Sequence, residues 1–144
     1  MMSDEMTPNE RLGRAYLAIF NDHDLDACDR LLTEDFVSHL RVGEVRGVEA
    51  FKALMTGFFE AFPDAHWTVD EWIFTEDRVV IRYHWEGTQQ AAWLGIPPTH
   101  QRVRAEGLEL LHVRDGRIFE VWNYSDLMGM AALLGAPEPL AISG

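Results

Sequence analysis

Two hydrophobic periods divide this sequence. Apart from a short extended run at Glu34 to Leu40, apolar side chains up to Phe62 return every three or four residues, the spacing of a helix face. From His66 to Tyr124 β-branched and aromatic residues alternate instead, the spacing of strands. Helices gathered early and antiparallel strands gathered late predict an α+β fold, in which one long curved sheet wraps the helices.

Local signals mark the elements. Thr7-Pro8-Asn9-Glu10 supplies an N-cap hydroxyl, a proline at the first helical position and a glutamate three residues after the cap. Leu12, Ala15, Tyr16, Ile19 and Phe20 follow on one face. A short second helix is expected after Asp24, with Leu25, Cys28, Leu31 and Leu32 inward, then a strand at Glu34 to Leu40 and a loop over Arg41 to Gly47. A third helix is expected from Val48 to Phe62, where Pro63 stops it. His66 to Thr75 and Arg78 to Thr88 form one hairpin, and Gln101 to Val113 and Arg117 to Tyr124 a second, turning at Asp115-Gly116. Asp126 is placed to cap a last helix carrying Leu127, Met130, Ala131, Leu133 and Leu134.

At 144 residues the chain suits a single domain, with an ordered core over about 8–135 and loose ends. Twelve basic residues against 24 acidic ones, a net charge of -12 with no basic patch, argue against a nucleic-acid partner. No apolar run is long enough for a membrane span, and Met1 to Asn9 lacks the pattern of a secretory signal, so a cytoplasmic, non-membrane protein is expected. The lone cysteine, Cys28, reads as a buried structural thiol. The six histidines share no helical pairing and have no cysteine beside them, which gives no basis for a metal site, and phosphate loops and serine elbows are absent.

Several phrases, taken in order, carry a family resemblance: Phe62-Pro63-Asp64, Trp85-Glu86-Gly87-Thr88, Leu94-Gly95-Ile96-Pro97-Pro98-Thr99, and Asp115-Gly116-Arg117-Ile118 through Glu120-Val121-Trp122-Asn123. Over about Pro8 to Gly135 the chain resembles the SnoaL-like polyketide (ester) cyclases of the NTF2-like superfamily. That resemblance implies a cone-shaped barrel with an apolar pocket between helices and sheet, binding a hydrophobic small molecule. It also implies intramolecular aldol chemistry without metal or cofactor, in which an aspartate near the end of the last strand moves a proton. The matching position here is Asn123, an amide that cannot act as a base. Its expected role is to donate a hydrogen bond to an enolate or carbonyl oxygen, or merely to satisfy nearby groups.

The candidate replacement base is Glu109, at a position where the resemblance implies a pocket histidine; the alternative is a glutamate solvated on the outer face or paired with an arginine. Its direction depends on register. A two-residue turn at Asp115-Gly116 puts Glu109 on the face of Trp122, whereas a three-residue Arg114-Asp115-Gly116 loop with a glycine bulge puts it opposite Val121 and diagonal to Asn123. The bulged form is preferred, because the resemblance needs both residues in the pocket.

Ser38 matches a pocket asparagine, and His39 beside it is a further catalytic candidate, although adjacent strand residues cannot both point inward. Arg82 and His84 alternate on one face of their strand, with Val79, Ile81, Tyr83 and Trp85 on the other. Polar outward is the default; if the polar face is concave instead, those two meet an anionic or carbonyl-bearing ligand. Tyr16, Phe20, Phe58, Phe59 and Trp93 are the candidate aromatic lining. Trp122 and Tyr124 remain for the convex face, where they suggest a homodimer. A cofactor-free proton-transfer enzyme is the reading preferred. The alternatives are a small-molecule-binding protein without chemistry and, last, an epoxide hydrolase or hydroxylation partner.

Overall fold

A computed structural model describes residues 6–126, 129–130 and 134–135. Its element order is α1 (Pro8–Asn21), a 3₁₀ turn (Leu25–Ala27), α2 (Cys28–Leu31), β1 (Leu32–Leu40), β2 (Gly43–Arg46), α3 (Val48–Ala61), β3 (His66–Phe74), β4 (Arg78–Thr88), β5 (Arg102–Arg114) and β6 (Arg117–Ser125). The six strands form one sheet in the order β2-β1-β6-β5-β4-β3, parallel only between β1 and β6. Among the described residues three helices lie against one face of this curved sheet: the α+β fold expected from the segregated periods, in the NTF2-like arrangement that the resemblance implies.

Three register breaks help the sheet to curve. They fall between Leu32 and Val37, between Val69 and Glu71, and between His112 and Val113. The last two each insert one residue on one strand, and the first leaves a longer unpaired stretch of β1; all increase local twist and bend. The concave face collects Phe36, Val79, Ile81, Tyr83, Trp85, Val103, Ala105, Leu111, Ile118 and Val121, all buried with the inward faces of α1 and α3.

Capping and clamping fix the helices to this sheet. The Thr7 side chain accepts from the Glu10 N–H at 3.1 Å, as the cap sequence predicts. At the other end of α1, Asn21 clamps Trp67 with two bonds, Nδ2 to its carbonyl at 3.0 Å and Oδ1 from its N–H at 2.8 Å. Asp64 accepts from the Thr88 N–H at 2.7 Å, so Phe62-Pro63-Asp64 and Gly87-Thr88 are two halves of one joint between α3 and β4. Gln89, wholly buried, donates to the carbonyls of Ala91 and Ile96 and accepts from both the N–H and the hydroxyl of Thr99. That one side chain shapes the following loop, whose tip turns at Leu94 (φ 51°) and Gly95 (φ 79°). The family phrases are therefore structural joints that bring Trp93 and Leu94 to the cavity mouth.

Some expectations need correction. Asp24 makes no capping bond with its side chain, and the chain passes through the 3₁₀ turn before α2. Leu32 opens β1 rather than closing a helix, and the expected loop at Arg41 to Gly47 contains β2, paired with β1 from Val37↔Arg46 to Leu40↔Gly43. Asp126 does cap a helical turn, accepting from the Gly129 N–H at 2.9 Å and, through its carbonyl, from Met130 at 3.1 Å. Leu127, Ala131 and Leu133 of the expected last helix lie outside the described residues. Among the described residues no helix is long and apolar enough to cross a membrane. Cys28 is fully buried, and burial pushes its thiol up to about 11, leaving it unreactive.

Candidate active site

The register of the second hairpin decides what the cavity contains, and neither expected register is the one found. Asp115 (φ 53°) and Gly116 (φ 76°) are both left-handed, which makes a two-residue turn closed by Arg114↔Arg117. One bulge then shifts the pairing between Val113↔Ile118 and His112↔Glu120. Glu109 therefore stands directly opposite Asn123 on the concave face, neither diagonal to it nor turned away. The preferred glycine-bulged loop is wrong in its place, because the extra residue sits at Phe119, inside the strand.

Around this pair lies a cavity of about 140 Å³, lined by Tyr16, Phe20, Ser38, Phe51, Phe58, Trp67, Ile81, Tyr83, Trp85, Trp93 and Ala105 among others. An apolar cavity of about this size holds a benzene-sized molecule without any opening of the walls. Its mouth is framed by exposed Val42 and Leu94, with Arg41 stacked at 4.1 Å over the Tyr124 ring.

Glu109 is the polar centre of this apolar space. The Tyr16 hydroxyl donates to Oε1 at 2.9 Å, and the Asn123 amide donates to Oε2 at 2.6 Å. The other amide hydrogen of Asn123 goes to the Tyr83 hydroxyl oxygen at 3.0 Å. Burial raises the Glu109 pKa above its usual 4.5, and the bonds from Asn123 and Tyr16 offset only part of that rise. No arginine, lysine or histidine pairs with it among the described residues. A desolvated carboxylate with two neutral donors and no cation is built to accept a proton.

Of the residues singled out in the sequence, Glu109, Asn123, Tyr16, Phe20, Ser38, Phe58 and Trp93 come together at this cavity. Four do not. His39 points to the outer face because its neighbour Ser38 points in, and Glu120 (2.6 Å), Glu44 (3.2 Å) and the Trp122 ring (4.7 Å) surround it there. Arg82 and His84 lie on the convex face, where Glu71 (3.2 Å) and Asp70 (2.8 Å) pair with them, because β4 turns its apolar alternation inward. Phe59 leaves the cavity and stacks on His23 at 3.9 Å. Of the two roles expected of Asn123, the arrangement fits the second: both of its donor hydrogens satisfy protein groups, so it offers none to a substrate.

Tyr83 is a site residue that was not among the candidates. The signal was present in its alternation with Ile81 and Trp85, but choosing that face as concave required the sheet itself.

The family model for SnoaL-like polyketide cyclases matches residues 10–134. The chain belongs to the SnoaL-like polyketide cyclase family. Within it, the chain is similar to the aklanonic acid methyl ester cyclase DnrD of Streptomyces peucetius, 31% identical over 97 residues that make up 67% of each chain. It is also similar to the aklanonic acid methyl ester cyclase DauD of Streptomyces sp. strain C5, 26% identical over 93% of this chain and 86% of that one. Among solved structures, TsrD of Streptomyces laurentii superposes with a TM-score of 0.83 at 26% identity, covering 92% of this chain and all of the other. This SnoaL-like chain thus shares the family's fold while carrying an amide where the resemblance implies its catalytic aspartate.

Proposed function

We propose that this protein is a cofactor-independent enzyme that moves a proton on a hydrophobic carbonyl compound, with Glu109 as the base. The observation that carries the reading is the position of Glu109: buried in an apolar cavity, held by Tyr16 and Asn123, with no cation beside it among the described residues. In the reaction proposed, the Glu109 carboxylate removes an acidic proton from a carbon flanked by carbonyls. The carbanion adds to a second carbonyl of the same molecule, and the Glu109 acid returns the proton to the new alkoxide, so the product is an isomer of the substrate. Tyr16 and Asn123 hold the carboxylate in place throughout, and the aromatic walls exclude water. The similarity to the two methyl ester cyclases supports an aromatic polyketide ester as the substrate class.

Proton removal is measurable without knowing whether the ring closes. Wild-type protein in D2O is expected to accelerate deuterium incorporation at the α-carbon of aklanonic acid methyl ester or a related β-keto ester, read by mass spectrometry. Ligand-dependent thermal stabilisation with exchange no faster than in buffer would instead identify a binding protein without chemistry.

A further inference from the structure

The proposed chemistry calls for a second group, one that receives the charge Glu109 creates. Removing a proton next to a carbonyl sends the electron pair of the C–H bond to the carbonyl oxygen, and a preorganised donor at that oxygen typically contributes about 10²–10³ in rate. The donors that hold Glu109 have no hydrogen to spare. The Tyr16 hydroxyl gives its proton to Oε1, and Asn123 gives one hydrogen to Oε2 and the other to the Tyr83 oxygen. The direction of that last bond follows from the chemistry, since an amide nitrogen donates and has no lone pair to offer. Tyr83 is therefore the acceptor, and its own proton is left over; among the described residues it is donated to no protein group.

Three features fit that proton for use on a ligand. Tyr83 lines the same cavity and is only 6% exposed. Its ring lies across Gly107, its partner on β5, where a Cβ would collide with the hydroxyl and come within 2.6 Å of Cζ, so glycine makes the room. Burial and the nearby Glu109 carboxylate raise its pKa, which keeps the phenol protonated while Glu109 titrates.

We propose that Tyr83 is a further catalytic residue, its hydroxyl donating to the enolate oxygen that forms as Glu109 takes the proton, and that Asn123 is the positioning residue that aims it. This rests on Glu109 being the base. Tyr83 keeps its O–H bond and nothing is oxidised or reduced; when the enolate electron pair forms the new C–C bond, the charge passes to the oxygen of the attacked carbonyl, and that alkoxide takes the proton from Glu109. Asn123, in place of an aspartate, thus turns the Tyr83 proton outward: an aspartate there would take that proton for itself.

A ligand pair isolates Tyr83 from the base. Glu109→Gln resembles the protonated Glu109 that follows proton removal, and 4-nitrophenolate resembles the enolate, with nitrobenzene as its neutral counterpart. Fluorescence titration of E109Q and of E109Q/Y83F is expected to show nitrophenolate weakened about tenfold or more by loss of the hydroxyl, the range of a hydrogen bond to a charged group. Nitrobenzene should bind both variants equally, which also reports that the cavity has kept its shape. In otherwise wild-type protein, Tyr83→Phe should lower kcat with little change in KM. Equal losses for the two ligands, or none for nitrophenolate, would overturn the role of Tyr83. Wild-type turnover in E109Q would remove the base while leaving the discrimination between ligands intact, so the two failures are separable.

Discussion

Replacing Glu109 by glutamine should lower turnover by about 10²–10⁴, the range supplied by a positioned general base. Ligand affinity should change little, because the amide has nearly the shape of the carboxylate and Tyr16 and Asn123 can still bond to it. The same variant should be more stable than wild type at neutral pH. Burial raises the Glu109 pKa in the folded state, so the stability that the protonated group contributes is complete below the unfolded value. It is lost as the pH climbs through the higher folded value, and above that the native state carries an uncompensated charge. Glutamine never ionises, so the gain in Tm over wild type should be present at neutral pH and shrink as the pH falls towards the ordinary glutamate range. A variant that loses activity and gains stability marks a functional charge held at the expense of the fold. Loss of both would mark Glu109 as a structural acceptor.

The second large effect concerns the wall of the cavity. Phe58 meets five other rings, with centroids at 5.1 Å (Phe62), 5.5 Å (Trp67), 5.0 Å (Trp85), 5.1 Å (Trp93) and 6.5 Å (Phe59). Phe58→Ala is expected to cost about 3–5 kcal/mol in urea unfolding, the transfer and cavity terms acting together. Because the ring also faces the pocket, the surviving folded protein should accept bulkier ligands than wild type. A loss below about 1 kcal/mol would mean that the neighbouring rings collapse into the space.

Elements with a local cause were legible in the sequence. Thr7, Pro8 and Glu10 start α1 through bonds made within one turn, and Pro63 ends α3 where a helical N–H would be missing. The site was legible only as far as alternation reaches. Ser38 and His39 could be known to face opposite ways, yet the pairing of β1 with β6 selects Ser38 as the inward one. Arg82 and His84 could reach the pocket only if the polar face of their strand were concave, which nothing local decides, and the sheet sends them to carboxylate partners outside. Phe59 shares its helix with Phe58, but the line of contact between α3 and the sheet passes through Phe58. The pairing of Glu109 with Asn123 hinged on one bulged residue at Phe119, which no turn signal marks.

The most direct measurement is the ionisation of Glu109 itself. In protein labelled with 13C at the glutamate side-chain carboxyls, the one resonance missing from Glu109→Gln can be followed as a function of pH. Its midpoint should lie clearly above the 4.5 of an ordinary glutamate, and Tyr16→Phe, by removing a donor to the carboxylate, should move it higher still. A midpoint at or below 4.5, unmoved by the loss of the Tyr16 hydroxyl, would mean that the carboxylate is solvated or paired with a cation, and Glu109 could not be the base described here.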